Sequence, residues 1–147
     1  MNIKKAVIDS SVLVAVLTPE EYSEWAEEIL DKVDEWISPE LVYYEVANAI
    51  WKKYKKLKVI GRKEAYEAID KALDTLKHII KTYSYSELLK ESFKTADELN
   101  ITVYDAVYIA LAKKLNAKFI TLDEELYRRL EDTEYSKIII TPMHKTT

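Results

Sequence analysis

Cysteine is absent from the chain, which excludes disulfides and thiolate metal sites. Only two histidines occur, His78 and His144. A zinc site built mainly from imidazoles is thereby disfavoured, and neither histidine has a serine placed to form a nucleophilic pair. A bound metal would need oxygen ligands, which points to Mg²⁺ or Mn²⁺. One glycine (Gly61) and three prolines (Pro19, Pro39, Pro142) leave little material for long flexible loops. Glutamine is missing altogether, and charged residues make up 33% of the chain. That bias suggests a thermophilic source, although AT-rich coding produces much the same pattern. No uncharged run reaches the roughly 18 residues of a membrane span. The opening MNIKKAVIDSSVLVAVLTPE is interrupted by Asp9 and lacks a small-residue cleavage pattern. It reads as a buried strand followed by a helix rather than a leader, and a cytoplasmic location is expected.

What is present is a 147-residue chain, 48% hydrophobic, with 11 Tyr, 3 Trp and 2 Phe. This composition predicts one folded domain over residues 1–147, with a core from about 4 to 140 and a polar, frayed tail from Thr141. The net charge of −4 argues against general affinity for polyanions, but KKYKKLK at 52–58, followed by Arg62 and Lys63, is strongly basic.

The hydrophobic pattern alternates short apolar strands with helices. Strands are expected at Ala6–Ile8, Trp36–Ile37, Ile79–Ile80, 118–121 and 138–140. Helices are expected over 10–17, from Thr18 (cap) with Pro19 and Glu21, and from Ser38-Pro39 to about Lys56. Further helices are expected from Arg62 to Leu76, from the Ser84/Glu87 capping box through Leu88, Leu89, Phe93 and Ala96, from Thr102 and from Asp123. Short buried strands between helices predict a three-layer α/β/α domain with a parallel sheet.

Ligands of open α/β sheets bind beyond the carboxyl ends of the strands. Asp9 directly follows the first strand, and Asp123 lies two residues after Phe119-Ile120-Thr121. Either could instead cap the helix after it. Thr121 adds a hydroxyl at the same edge. Leu41, Glu45, Asn48 and Lys52 share one face of a helix that is otherwise largely apolar; the stripe faces either solvent or an acidic cleft. Asp105 opens VYDAVYIALAKKL, either as the reciprocal partner of a Thr102 cap or as a carboxylate beside a cation. Four acids gathered in one place would repel one another and raise each other's pKa, a cost that divalent ions remove. Such a paired-ion site can activate water against a phosphodiester.

These residues resemble those of the PIN-domain ribonucleases, most of all the toxin half of VapBC-type type II toxin–antitoxin pairs. VIDSSVLVAVL resembles the first family motif, SPELVYYEVANAI the second, and ITVYDAVYIALAKKLNAKFITLDEEL the most distinctive stretch. The resemblance runs from about Lys4 to Ile140 and implies a PIN-like fold. It implies Asp9, Glu45, Asp105 and Asp123 as metal ligands, with Ser10 and Thr121 as assisting hydroxyls. It implies Mg²⁺- or Mn²⁺-dependent endonucleolytic cleavage of RNA leaving 5′-phosphate and 3′-hydroxyl ends, a homodimer, and a small antitoxin whose tail occupies the active-site groove. Residues Leu57 to Lys81 carry no family signature.

Asn48, Lys52 and Lys56 are the candidate substrate-binding residues, with Arg128 and Arg129 next in line. The lysines at a helix end are equally explained by the helix dipole, and Lys53 and Lys58 read as solvated. The aromatic load of Trp25, Tyr43, Tyr44, Trp51 and Tyr54 suggests an interface. Rival readings are a housekeeping ribonuclease of the same fold and a non-catalytic RNA- or protein-binding module. A haloacid-dehalogenase-like phosphatase would need a second Asp where Ser11 stands.

Overall fold

The computed structural model describes residues 1–143, so His144 lies outside the described residues. Among the described residues, five strands form one parallel sheet in the order β3-β2-β1-β4-β5: β1 Ile3–Ile8, β2 Val33–Pro39, β3 Ile80–Tyr83, β4 Lys118–Ile120 and β5 Ile139–Ile140. β1 is central, and its Ala6, Val7 and Ile8 are fully buried. This is the condition that makes a strand read as a continuous apolar run.

Helices α1 Ser10–Leu17, α2 Ser23–Asp31, α3 Leu41–Trp51, α4 Arg62–Lys71, α5 Lys77–Ile79, α6 Tyr85–Leu99, α7 Val103–Leu115 and α8 Glu124–Leu130 complete a three-layer α/β/α arrangement. Helix α7 packs on β1, β2 and β4 and against α6, while α1 packs on α2 and α3. Among the described residues, no helix is long and apolar enough to cross a membrane.

Several local expectations need correction. Thr18 ends α1 rather than opening α2: its backbone N–H and its hydroxyl both donate to the Val14 carbonyl. Helix α2 therefore starts at Ser23, whose hydroxyl accepts from Glu20 N and donates to Thr18 O. Ser38 and Pro39 end β2 rather than cap α3; the Ser38 hydroxyl donates to the Ile8 carbonyl at 2.6 Å. Ile79 is helical and exposed, so β3 begins one residue later. Likewise Ile138 belongs to a short 3₁₀ segment ahead of β5. On α6 the buried positions are Leu88, Ser92, Thr95 and Ala96, while Leu89 and Phe93 face solvent.

Other signals hold as read. The Ser84 N–H donates to Glu87 at 3.4 Å, the reciprocal half of a capping box. The Asp105 N–H donates to Thr102 Oγ1. Asn100, expected to end its helix, closes α6 in the left-handed conformation, and Asn116, which the sequence reading did not name, closes α7 in the same way. Helix α3 continues as a π-helical segment over Lys52–Lys56, and α4 as another over Ala72–Leu76. The first is closed by the i→i+5 bond from Leu57 N to Lys52 O.

Candidate active site

Asp9 stands at the carboxyl end of the central strand and is 8% exposed. Its backbone occupies the N-cap position of α1, yet its side chain makes no cap bond. The carboxylate instead accepts from Thr121 Oγ1 at 2.7 Å and Ser11 Oγ at 2.8 Å, both at Oδ2. Ser10 Oγ reaches the other oxygen at 3.5 Å. Each of the two close hydroxyls also accepts from the loop after β4: Thr121 from Asp123 N and Ser11 from Leu122 N. The ends of β1 and β4 are thus laced together through one carboxylate. The parallel pairing of Ile8 with Ile120 puts those ends side by side.

Burial pushes the Asp9 carboxyl above its ordinary range; the Thr121 and Ser11 hydrogen bonds oppose this, and the charges of Asp123 and Asp105 add to it. Glu45 is half-buried on α3, and its Oε1 accepts from Tyr108 Oη of α7 at 2.6 Å. Its carboxyl is pushed up to about 7 by burial. The Tyr108 bond works against that rise, and Asp9, Asp105 and Asp123 reinforce it. Asp105, in the first turn of α7, is raised by burial and then by Asp123, while the Thr102 bond and Arg129 lower it. The sequence-predicted acids therefore share one electrostatic neighbourhood.

They do not converge on a point. Among the described residues, no three Asp, Glu or His side chains stand together closely enough to hold an ion. Asp123 Oδ1 is turned to cap α8 at Leu126 N, 3.0 Å away, and Glu45 is turned to Tyr108. The capping role foreseen for Asp123 is real; that foreseen for the Asp9 side chain is not. Asp105 and Asp123 face a hollow of ≈ 140 Å³ that Thr102, Glu125 and Arg129 also line.

Asn48, Lys52 and Lys56 are exposed. Lys53, expected to be solvated, is half-buried: it pairs with Glu20 and donates to Thr18 Oγ1 at 2.7 Å, tying the end of α3 to the loop after α1. Arg128 pairs with Glu124. Of the five aromatics expected at an interface, Tyr44 and Trp51 are exposed, whereas Trp25, Tyr43 and Tyr54 pack partly against the core.

Tyr108 and Ser11 are the neighbours whose role the sequence did not disclose, and Arg129, named there only as a reserve phosphate contact, proves to stand beside Asp105. Tyr108 hides as one more apolar-helix residue, and its partner is 63 positions away. For Ser11 a signal existed: two hydroxyl residues follow Asp9. Arg129, six residues beyond Asp123, lies on α8.

A PIN domain family model matches residues 6–131. The chain belongs to the PIN-domain family. It is 38% identical over 122 residues to ribonuclease VapC3 of Pyrobaculum aerophilum, which covers 83% of this chain and 92% of that protein. The PIN fold recurs in the crystal structure of PAE2754 from Pyrobaculum aerophilum, with a TM-score of 0.63 and 25% identity over 94% of this chain and 89% of that one. It recurs in a toxin–antitoxin complex from Klebsiella pneumoniae, with a TM-score of 0.69 and 15% identity over 95% and 99%. By family and fold the chain resembles VapC-type toxins.

Proposed function

We propose that this PIN-domain protein is a cytoplasmic, metal-dependent endoribonuclease, the toxin of a toxin–antitoxin pair, folded as one domain. The observation that carries the reading is the buried Asp9, locked by Thr121 and Ser11 at the central strand end within the field of three further acids. The similarity to a protein named a ribonuclease gives it a substrate class.

The donor set fits Mg²⁺ or Mn²⁺. All four acids offer hard oxygen ligands, and three have carboxyl groups lifted by burial and by one another, the cost that a cation offsets. Asp9, Glu45, Asp105 and Asp123 would hold the ion or ions, which when bound supply an activated water and stabilisation of the leaving oxygen. The protein's own contribution is orientation. Thr121 and Ser11 fix one Asp9 oxygen, and Tyr108 fixes one Glu45 oxygen. Ser10 offers a hydroxyl beside Asp9. Asn48, Lys52 and Lys56 extend from the Glu45 face toward substrate phosphates.

The reading includes a homodimer and a small antitoxin partner. The homodimer is supported by a groove of ≈ 500 Å³ lined by the exposed Tyr44, Tyr85, Leu89 and Tyr104. Light scattering is expected to give twice the 17.2 kDa chain mass.

The test of activity is cleavage of single-stranded RNA across a Mn²⁺ titration. Wild type is expected to cut only with the ion, and Asp105→Asn to lose roughly 100-fold or more of the rate while keeping its fold. Full Mn²⁺-dependent activity in that variant would overturn the assignment.

A further inference from the structure

Residues 52–63 carry seven cations and no acid, on a chain whose net charge is −4. Two of the seven are engaged in ion pairs, Lys53 with Glu20 and Lys63 with Glu67. Three others lie over aromatic rings: Lys55 over Tyr54 at 4.7 Å, Lys56 over Trp51 at 6.0 Å and Arg62 over Tyr66 at 4.5 Å. The π-helical segment brings Lys56 back toward Trp51, five residues earlier.

The rings border a cleft of ≈ 380 Å³ between the end of α3 and α4. Ile50 and Ala65, both buried, lie at its base, and Trp51 (48% exposed) and Tyr66 (56% exposed) stand on its walls. Flat aromatic walls, an apolar base and a cationic rim match the separate needs of a nucleotide: a π-face for the base and positive charge for its phosphates. An acidic peptide would use the rim and leave the rings without a flat partner. Exposed cation–π contacts are weak, so a base can replace a lysine on a ring while that lysine moves to a phosphate.

Position adds to the argument. Glu45 and Trp51 are on one helix, six residues or roughly 9 Å of axial rise apart, with Asn48 between them. Trp51 lies roughly 120° around α3 from Glu45, so a strand leaving the acids reaches it by crossing over the helix rather than by running straight along the Glu45 face.

We propose that this cleft is a base-stacking subsite for single-stranded RNA, taking one base against Trp51 and Tyr66 with flanking phosphates on Lys55, Lys56 and Arg62. The proposal rests on the ribonuclease reading for its substrate class, and the test keeps the two apart.

The probe is a short, labelled, mixed-sequence oligoribonucleotide bound to metal-free protein across a salt series. Trp51→Ala/Tyr66→Ala is expected to weaken binding by roughly tenfold or more with an unchanged salt slope. Trp51→Phe/Tyr66→Phe, which keeps the flat faces, is expected to recover most of it. Lys55→Ala/Lys56→Ala is expected to lower the slope by roughly 0.7 for each phosphate that is no longer neutralised. Polyglutamate is expected not to compete.

Unchanged affinity in the alanine double variant, with the fold intact by circular dichroism, would overturn the subsite. So would polyglutamate competition that those same alanines abolish, which would make the cleft a site for an acidic protein segment. Ring-dependent binding without Mn²⁺-dependent cleavage would uphold the subsite and sink the nuclease reading. Cleavage by the alanine double variant with unchanged KM would do the reverse.

Discussion

Two regions of this molecule carry concentrated charge of opposite sign, and they treat it in opposite ways. At the carboxyl ends of β1 and β4, acids are drawn inward. Asp9 is buried, Glu45 and Asp105 are half-buried, and Asp9 and Glu45 are held by hydroxyl donors rather than by lysine or arginine. Along the end of α3 and the start of α4, Lys53 is drawn into an ion pair with Glu20, but Lys55, Lys56 and Arg62 stay in solvent and rest on aromatic rings. Charge sequestered without a counter-charge costs stability and suits a small, hard cation that offsets the cost. Charge left hydrated over flat rings costs little and suits an extended polyanion. Such a difference is one of burial, and composition alone does not reveal it.

The largest effect that sharpens this contrast is the pH dependence of the metal-free protein. Glu45 titrates at about 7 in the fold against an ordinary 4.5. Between those values the folded state holds a proton that the unfolded state has released, so stability falls as pH rises from about 4.5 to 7 and levels off above. With the half-buried setting discounted for solvent screening, the loss is roughly 1–2 kcal/mol. Chemical denaturation at pH 5 and pH 8 should resolve it, and Glu45→Gln should make the slope shallower while leaving the part that the raised Asp9 and Asp105 carboxyls contribute. A wild-type curve flat across this range would mean that the acidic region is as well solvated as the basic one.

A smaller effect is expected from Tyr108→Phe, which deletes the donor to Glu45 while keeping the ring that packs against Phe119. The loss of stability should be about 1 kcal/mol. Cleavage should fall as Glu45 loses its fixed orientation, with Mn²⁺ required at higher concentration. If Mn²⁺ dependence and rate both match wild type, Tyr108 is only a core residue.

Smallest in energy is Lys52→Ala/Lys56→Ala, which should lower the salt slope of RNA binding by roughly 0.7 for each phosphate these lysines neutralise and leave the melting temperature unchanged. An unchanged slope would move the phosphate path elsewhere, with Arg129 beside Asp105 and Asp123 the next candidate.

Much of the fold was legible because its signals are local. Strand–acid–helix at 6–17, the Ser84/Glu87 capping box and the Thr102 cap each follow from a few neighbouring residues. The errors arose where one local signature serves two structures. Ser-Pro reads as a helix start, but at 38–39 the serine is needed by the Ile8 carbonyl thirty residues away. Thr-Pro at 18–19 reads the same way, although the threonine is engaged by the helix before it. The apolar residues along α6 also divide in a way the pattern did not indicate: Leu88 and Ala96 are buried, whereas Leu89 and Phe93 lie in solvent.

For the candidate site, Asp9, Asp105 and Asp123 stood out in the sequence by their places at strand and helix ends, and Glu45 by the polar stripe it shares on an apolar helix. Whether each acts as a cap was not readable, because capping and clustering place the same residue at the same position. Asp9 and Asp123 resolve in opposite directions on this point. The Tyr108–Glu45 bond joins two helices that no sequence pattern pairs.

The central claim is that the acids at the sheet edge are a divalent-ion site on which RNA cleavage depends. Its most direct test is calorimetric titration of Mn²⁺ into the wild-type chain and Asp9→Asn, with RNA cleavage measured on the same samples. The account predicts saturable Mn²⁺ binding and cleavage by wild type, and loss of both in Asp9→Asn with its fold retained. Equal Mn²⁺ binding and equal cleavage by the two proteins would contradict it.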